Sequence, residues 1–174
     1  MTPDIPPLVD LLIDAEEWTE ALPEIAEVAE QAAGLAMNAA GLTASDYVIS
    51  LLACDDTRIA ALNGDFRGKP TPTNVLSWPA MTLAPDVAGA TPNPPMKLPI
   101  PGPTPLGDVA LALQTCQREA VQAARPLKFH TTHLILHGCL HLLGYDHETP
   151  EDAALMEGLE AKALVNAGWP DPYA

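Results

Sequence analysis

The chain has 174 residues, 48% of them apolar, with 23 acidic and eight basic residues and a formal net charge of −15. This length fits a single domain over residues 1–174, and the apolar content excludes wholesale disorder. The charge excludes binding of nucleic acid through a broadly basic surface. No apolar run approaches the roughly 18 residues of a membrane-spanning helix.

The start of the chain bears on its location. The first 17 residues contain five acids and no Lys or Arg. Secretory signals begin with basic residues, and mitochondrial presequences are rich in Arg. The cysteines are odd in number and none are paired as CxxC, which is typical of free thiols in a reducing compartment. We therefore expect a cytoplasmic protein with no membrane partner.

The N-terminal third is predicted to contain two strands and one helix. The apolar run 8–13 predicts a short strand, and the β-branched run 47–53 predicts a buried one. Between them, apolar residues at helical spacing predict an amphipathic helix over 16–40. Pro23 falls inside that helix, so the helix either begins later, near Leu22, or is kinked.

A short helix, a strand and a long loop are predicted next. Asp55 is the predicted cap of a helix over 56–63, which Gly64 ends. Residues 74–78 predict a further strand. The proline-rich stretch of about 80–105 predicts an exposed, partly extended loop within one domain. Its second half cannot support a helix or a central strand, because proline lacks an N–H and has a fixed φ.

The C-terminal part is predicted to be mostly helical. Residues 108–113 resume as a strand and are followed by predicted helices over 114–125 and 128–142. Thr149 is then the predicted cap of a last helix that runs to about residue 165. The chain as a whole is thus predicted to have four strands and five helices.

Three of the five histidines have the spacing of a metal site. His137 and His141 lie four residues apart, so on a helix they share one face about 6 Å apart. Gly144 can take a positive φ, which lets the chain reverse and return His147 toward them. Three nitrogen ligands leave a fourth position for water, as in catalytic zinc sites. We predict one Zn²⁺ per chain on these three histidines.

The same spacing occurs in the metzincin proteases, H-E-x-x-H-x-x-G-x-x-H, so the predicted site is metzincin-like. The glutamate of that motif is the general base, and here Gly138 takes its position. Glycine cannot accept a proton, which argues against ordinary peptide hydrolysis. His133, four residues before His137, either forms a hydrogen bond or contact with one of the metal-ligating residues or is an ordinary core residue. Neither it nor His130 is assigned as a ligand.

Three motifs together resemble the YbeY family, bacterial endoribonucleases of rRNA maturation. They are HGCLHLLGYDH at 137–147, LNGDFRGKPTPTNVLSWP at 62–79 and LGDVA at 106–110. The resemblance extends over about residues 45–165 in consistent order. It implies an α+β fold, with a small mixed sheet of about four strands packed with about five helices.

The resemblance also implies an activity and its site. It implies zinc on the three histidines and cleavage of single-stranded RNA. It further implies a role in maturing ribosomal RNA, at the 16S 3′ end, and in ribosome quality control, with rRNA and the ribosomal small subunit and its associated proteins as partners. The family's important arginine falls on Arg67, and the first histidine of its motif, also linked to activity, falls on His137.

The chemistry of Arg67 agrees with that role. Cleaving a phosphodiester requires a cation that binds the phosphate and offsets charge in the transition state. A planar guanidinium does so through two hydrogen bonds. Arg67 and Lys69 are two of the eight bases, and both fall in a turn-rich stretch that suits functional side chains. We take Arg67 as a catalytic residue together with His137, and both bases as RNA-binding.

Two other functions remain open at this level. A ribosome-assembly factor with a structural or weakly catalytic metal fits the acidic charge and the missing glutamate. A metallohydrolase acting on a non-RNA substrate fits the sparse basic surface, although Gly138 weighs against a peptide substrate. Within the nuclease hypothesis, the nucleophile is either water or the ribose 2′-OH.

Overall fold

A computed structural model describes residues 4–174 and gives an α+β fold, as predicted. The elements of this part of the chain are β1 Val9–Ile13, α1 Glu17–Ala21, α2 Ile25–Ala39, a 3₁₀ turn Ala44–Asp46, β2 Tyr47–Cys54, α3 Asp56–Arg67, β3 Val75–Pro79, β4 Thr104–Ala112, α4 Leu113–Gln122, α5 Leu127–Leu142 and α6 Pro150–Asn166. None of the described helices is both long and apolar enough to cross a membrane.

The four strands form one mixed sheet in the order β1-β2-β4-β3. β1, β2 and β4 are parallel, and β3 runs antiparallel to β4. Side chains alternate between the two faces of the strands. Ile49, Leu51 and Leu111 face the larger core with α2 and α5, whereas Leu76 and Ala110 pack with Ile59 of α3. The sheet is therefore covered by helices on both faces.

The predicted helix over 16–40 is two helices in the structure. α1 ends at Ala21 and α2 begins at Ile25. Leu22, between them, has φ −142° and ψ 80°, because the ring of Pro23 disfavours helical geometry in the residue before it. The prediction of a later helix start, near Leu22, is therefore closer to the structure than the prediction of a kinked helix. The residues before that start form the separate short helix α1.

α3 is longer than predicted, and this changes the position of Arg67. The helix continues through Gly64 to Arg67 and ends at Gly68, which has φ +69°. Gly64 serves packing instead, since a Cβ there would lie 3.2 Å from the Cβ of Pro70. Arg67 therefore lies in the last turn of a helix and not in a loop.

β4 begins at Thr104, four residues before the predicted start of this strand at residue 108, and it includes the last two residues of the predicted loop. The exclusion of proline from that strand was wrong at Pro105, which pairs with Val48 of β2. β3 pairs only with Gly107–Leu111. At Pro105, β4 consequently has β2 as a neighbour on one side and no strand on the other side. The missing N–H of Pro105 therefore interrupts no hydrogen-bond ladder with β3.

The proline-rich loop is fixed to the rest of the domain at several points. The hydroxyl of Tyr47 donates to the carbonyl of Pro95 at 3.2 Å, and the side-chain oxygen of Thr104 accepts from the Leu98 N–H at 2.9 Å. Leu83 is buried, and a Cβ at Gly144 would lie within 2.9 Å of it. The loop thus packs directly against the turn that follows α5.

Candidate metal centre and cleft

α5 and the turn after it bring together the three histidines of the predicted zinc site. One ring nitrogen from each of His137, His141 and His147 lies within 4.8 Å of the other two. Gly144 has φ +95°, so the chain reverses there as predicted. The Nε2 atoms of His137 and His141 are 3.1 Å apart. Two ligands of a tetrahedral zinc ion, each at about 2.1 Å, would lie roughly 3.4 Å apart.

The tautomers of two of these histidines fit a metal ion. Nδ1 of His137 faces a carboxylate oxygen of Glu160, and Nδ1 of His141 faces the carbonyl of Tyr145. Both partners only accept hydrogen bonds, so each Nδ1 carries a proton and donates it. Nε2 of each ring then turns its lone pair into the cluster, and converging lone pairs require a cation between them. The donor set therefore fits a single metal ion, of which zinc is typical.

His141 is poised to act as a neutral ligand. Burial, together with the neighbouring His137 and His147, lowers the pKa of His141 to about 4. At neutral pH its imidazole is therefore uncharged, with one proton on Nδ1 and a free lone pair on Nε2. A metal ion binding there does not have to displace a proton from this ring.

Glu160 is a buried carboxylate behind the histidines that sequence reasoning missed. It lies on α6 and is fully buried. One of its oxygens accepts from Nδ1 of His137 at 2.5 Å, and the other lies 3.4 Å from Nε2 of His133 and accepts from the hydroxyl of Tyr173. The sequence did contain a signal. Met156, Glu160 and Leu164 form the buried stripe of α6, so an acid occupies a core position.

The surroundings of Glu160 keep it ionised. Burial alone would raise its pKa, but hydrogen bonds from His133, His137 and Tyr173 lower it to about 2. Burial and the contact with Glu160 raise the pKa of Tyr173, whose hydroxyl stays protonated and donates. Glu160 is thus a carboxylate held from both oxygens.

The glycine in the position of the protease glutamate faces the sheet. A Cβ at Gly138 would lie 3.0 Å from Cγ1 of Val109, and the hydroxyl of Ser77 donates to the Gly138 carbonyl at 3.2 Å. The close packing of α5 on β3 and β4 leaves no room for a side chain there. Position 138 therefore supplies contact with the sheet and no general base.

The histidines open into a cleft of about 730 Å³ that Arg67 also lines. Phe66 lines the same cleft and is 50% exposed, with its ring packed edge-on against Trp78 at 5.4 Å. The first residues of the proline-rich loop, Met81 to Ala84, also line the cleft. Lys69 is exposed but does not line the cleft.

The other bases near the cleft in sequence already have partners. Arg118 pairs with Asp56 at 2.8 Å, Lys128 lies 3.8 Å from Glu24, and Arg125 donates to the carbonyl of Pro172. Within residues 4–174, neither Arg67 nor Lys69 forms an ion pair. Arg67 is thus the basic side chain of the described chain that lines the cleft without a carboxylate partner.

Comparison with known proteins agrees with the three motifs. The family described as Endoribonuclease YbeY matches residues 12–168. A protein of that name from Ruegeria pomeroyi is 53% identical over 165 residues, covering 95% of this chain and 97% of its own length. Another from Dinoroseobacter shibae is 50% identical, covering 99% and 97%.

A solved structure supports the fold. The solution structure of TM1509 from Thermotoga maritima aligns with a TM-score of 0.51 at 19% identity, covering 92% of this chain and 91% of that one. At that identity the likeness concerns the fold alone. The sequence matches are far closer and extend over nearly the whole chain, so the chain belongs to the Endoribonuclease YbeY family.

Proposed function

We propose that this protein is a zinc-dependent endoribonuclease that cleaves single-stranded RNA. We further propose that it acts in the cytoplasm on rRNA of the ribosomal small subunit, in maturation of the 16S 3′ end and in ribosome quality control. The observation that carries the proposal is one cleft lined by three converging imidazoles and an unpaired guanidinium. The name that its relatives share, endoribonuclease, supports the same activity.

The histidines of the cleft and Arg67 have different roles in the proposed reaction. His137, His141 and His147 hold the metal through ring nitrogens, and His137 is oriented by Glu160. Zinc, when bound, would supply Lewis-acid chemistry and would lower the pKa of a water molecule bound to it. Arg67 binds two oxygens of the phosphodiester and stabilises the extra negative charge of the transition state. The nucleophile is either water or the ribose 2′-OH.

Zinc-loaded protein should cut a single-stranded RNA and leave the same sequence intact when it is in a duplex. Treatment with a chelator should stop the cleavage, and added Zn²⁺ should restore it. Product analysis on a gel provides the measurement. Cleavage that survives complete removal of zinc would contradict the metal-dependent proposal.

An RNA with one deoxyribose at the cleaved nucleotide distinguishes the two possible nucleophiles, water and the ribose 2′-OH. Cleavage that persists in this RNA excludes the 2′-OH.

Phe66 offers a reason for the preference for single strands. Its half-exposed ring lines the cleft next to Arg67, whose guanidinium carbon is 6.0 Å from the ring centroid. Unpaired bases expose their faces and stack on aromatic side chains, whereas bases inside a duplex do not. We propose that one base next to the cleaved phosphate stacks on Phe66.

Phe66→Leu should weaken binding of single-stranded RNA by about 5-fold to 150-fold, since one stacked base contributes about 1–3 kcal/mol. Leucine keeps an apolar contact with Trp78 but has no flat π face, and Phe66→Tyr should retain most of the affinity. Fluorescence anisotropy with labelled RNA provides the measurement. Equal affinity of the Leu variant and the wild type would exclude stacking on this ring.

The assembly-factor alternative makes a different prediction from the same cleft. It requires that ribosome association and rRNA maturation persist in a folded variant that has lost the metal. The acidic charge of the chain, −15, gives this alternative its weight. Complementation of rRNA maturation by a metal-free variant would favour the assembly factor over the nuclease.

A further inference from the structure

Glu160 is a charged group in a place where charge is unfavourable. It is 0% exposed, and a buried carboxylate is tolerated only where it is paired and hydrogen-bonded. Among residues 4–174 it forms no ion pair with Lys or Arg. Its contacts are with the rings of His133 and His137 and with the hydroxyl of Tyr173. Glu160 is therefore compensated by hydrogen-bond donors, two of which are histidine rings.

The contacts of Glu160 fix the orientation of a predicted metal ligand. One carboxylate oxygen is occupied by Nδ1 of His137 at 2.5 Å. The other is occupied by the hydroxyl of Tyr173 and by Nε2 of His133 at 3.4 Å. With partners on both oxygens, the carboxylate cannot turn away from His137. The imidazole of His137 is thereby held with its Nε2 toward His141.

Tyr173 reaches Glu160 because the C-terminal segment is held against the helices. The indole of Trp169 stacks on Phe129 of α5 at 5.2 Å. Arg125 donates to the carbonyl of Pro172 at 2.8 Å, and Pro172 is buried. The segment is thus anchored at two points before it delivers the Tyr173 hydroxyl to a carboxylate otherwise enclosed by α5 and α6.

We propose that Glu160, His133 and Tyr173 form a support cluster that positions His137 for metal binding, and that the C-terminal segment Trp169–Tyr173 is part of the metal site. Glu160 is a positioning residue, since it acts through His137 and does not line the cleft. A carboxylate that accepts from the far nitrogen of a ligating histidine fixes its tautomer and makes it a better ligand. This inference rests on the proposed function only in requiring a metal on the three histidines.

The test measures metal binding and not RNA cleavage. Glu160→Gln keeps the shape of the side chain but removes its charge, and it should weaken the affinity for Zn²⁺ by about 10-fold to 100-fold in competition with a chromophoric chelator. Glu157→Gln is the matched control, because Glu157 is exposed on the same helix, and its affinity should stay within about twofold of the wild type. The Co²⁺-substituted proteins should differ in the same way, with a shifted visible spectrum for Glu160→Gln alone.

Tyr173→Phe provides a second variant that is expected to fold, because Tyr173 is 47% exposed and keeps its ring. It removes one hydrogen bond from the carboxylate and should weaken Zn²⁺ binding by about fivefold. Unchanged Zn²⁺ affinity and an unchanged Co²⁺ spectrum in folded Glu160→Gln and Tyr173→Phe would overturn the proposal, even if their melting temperatures fell. If the wild type binds Zn²⁺ and the variants bind it less tightly, the proposal stands whether or not the protein cuts RNA.

Discussion

His141→Ala should lower kcat/KM for cleavage of single-stranded RNA by at least about 100-fold. Removing a residue that merely supports a metal ligand already reduces metal affinity or activity by 10-fold to 100-fold. His141 is the central member of the cluster, with its ring 4.6 Å from that of His137 and 5.0 Å from that of His147. Without its lone pair, the site retains two ligands and binds zinc poorly.

The control for this variant lies on the same helix. His130 is also on α5 but pairs with Glu119 at 2.7 Å and does not line the cleft. His130→Ala, purified in parallel, should retain zinc and cleave RNA, so a loss of cleavage in His141→Ala alone would exclude a contaminating ribonuclease as the source of activity. Circular dichroism establishes that both variants are folded. Equal cleavage by His141→Ala and the wild type would remove the metal centre from the reaction.

Arg67→Ala should reduce kcat/KM by about 100-fold to 1,000-fold, the loss typical of removing one donor that stabilises charge in a transition state. Its zinc content should be unchanged, because Arg67 is on α3 and not among the three histidines. Arg67→Lys keeps the charge but loses the planar pair of donors, so it should recover only part of the rate.

Arg58 supplies the matched control for Arg67. It is an exposed arginine on the same helix, about two and a half turns earlier, and does not line the cleft. Arg58→Ala removes the same overall charge and should leave kcat/KM within about twofold of the wild type. The measurement is the steady-state kinetics of the wild type and the three variants, Arg67→Ala, Arg67→Lys and Arg58→Ala, at one salt concentration. Equal losses at both positions would mean that Arg67 acts through general charge alone.

Local rules of chain geometry placed the histidines correctly. The i, i+4 spacing of His137 and His141 and the reversal at Gly144 depend on a single helix and its end, and the structure has both. The four strands were predicted for a similar reason, since each is a short apolar run between turn residues. A glycine can end a helix or allow close packing, and Pro70 shows that Gly64 does the latter. A proline can end a strand or lie where one neighbouring strand is missing, and the extent of β3 shows that Pro105 does the latter.

By itself, the sequence determined the family, because its three motifs can be recognised without a structure. It also determined the strands and the three converging histidines, because each depends on residues close together in the chain. The tertiary structure alone decided that Glu160 meets His137, across 23 residues, and that Tyr173 meets Glu160, across 13 residues. It also decided that Phe66 and Arg67 share the cleft with the histidines. Such contacts depend on how α3, α5, α6 and the C-terminal segment pack. A buried carboxylate gains its partners only when that packing is complete.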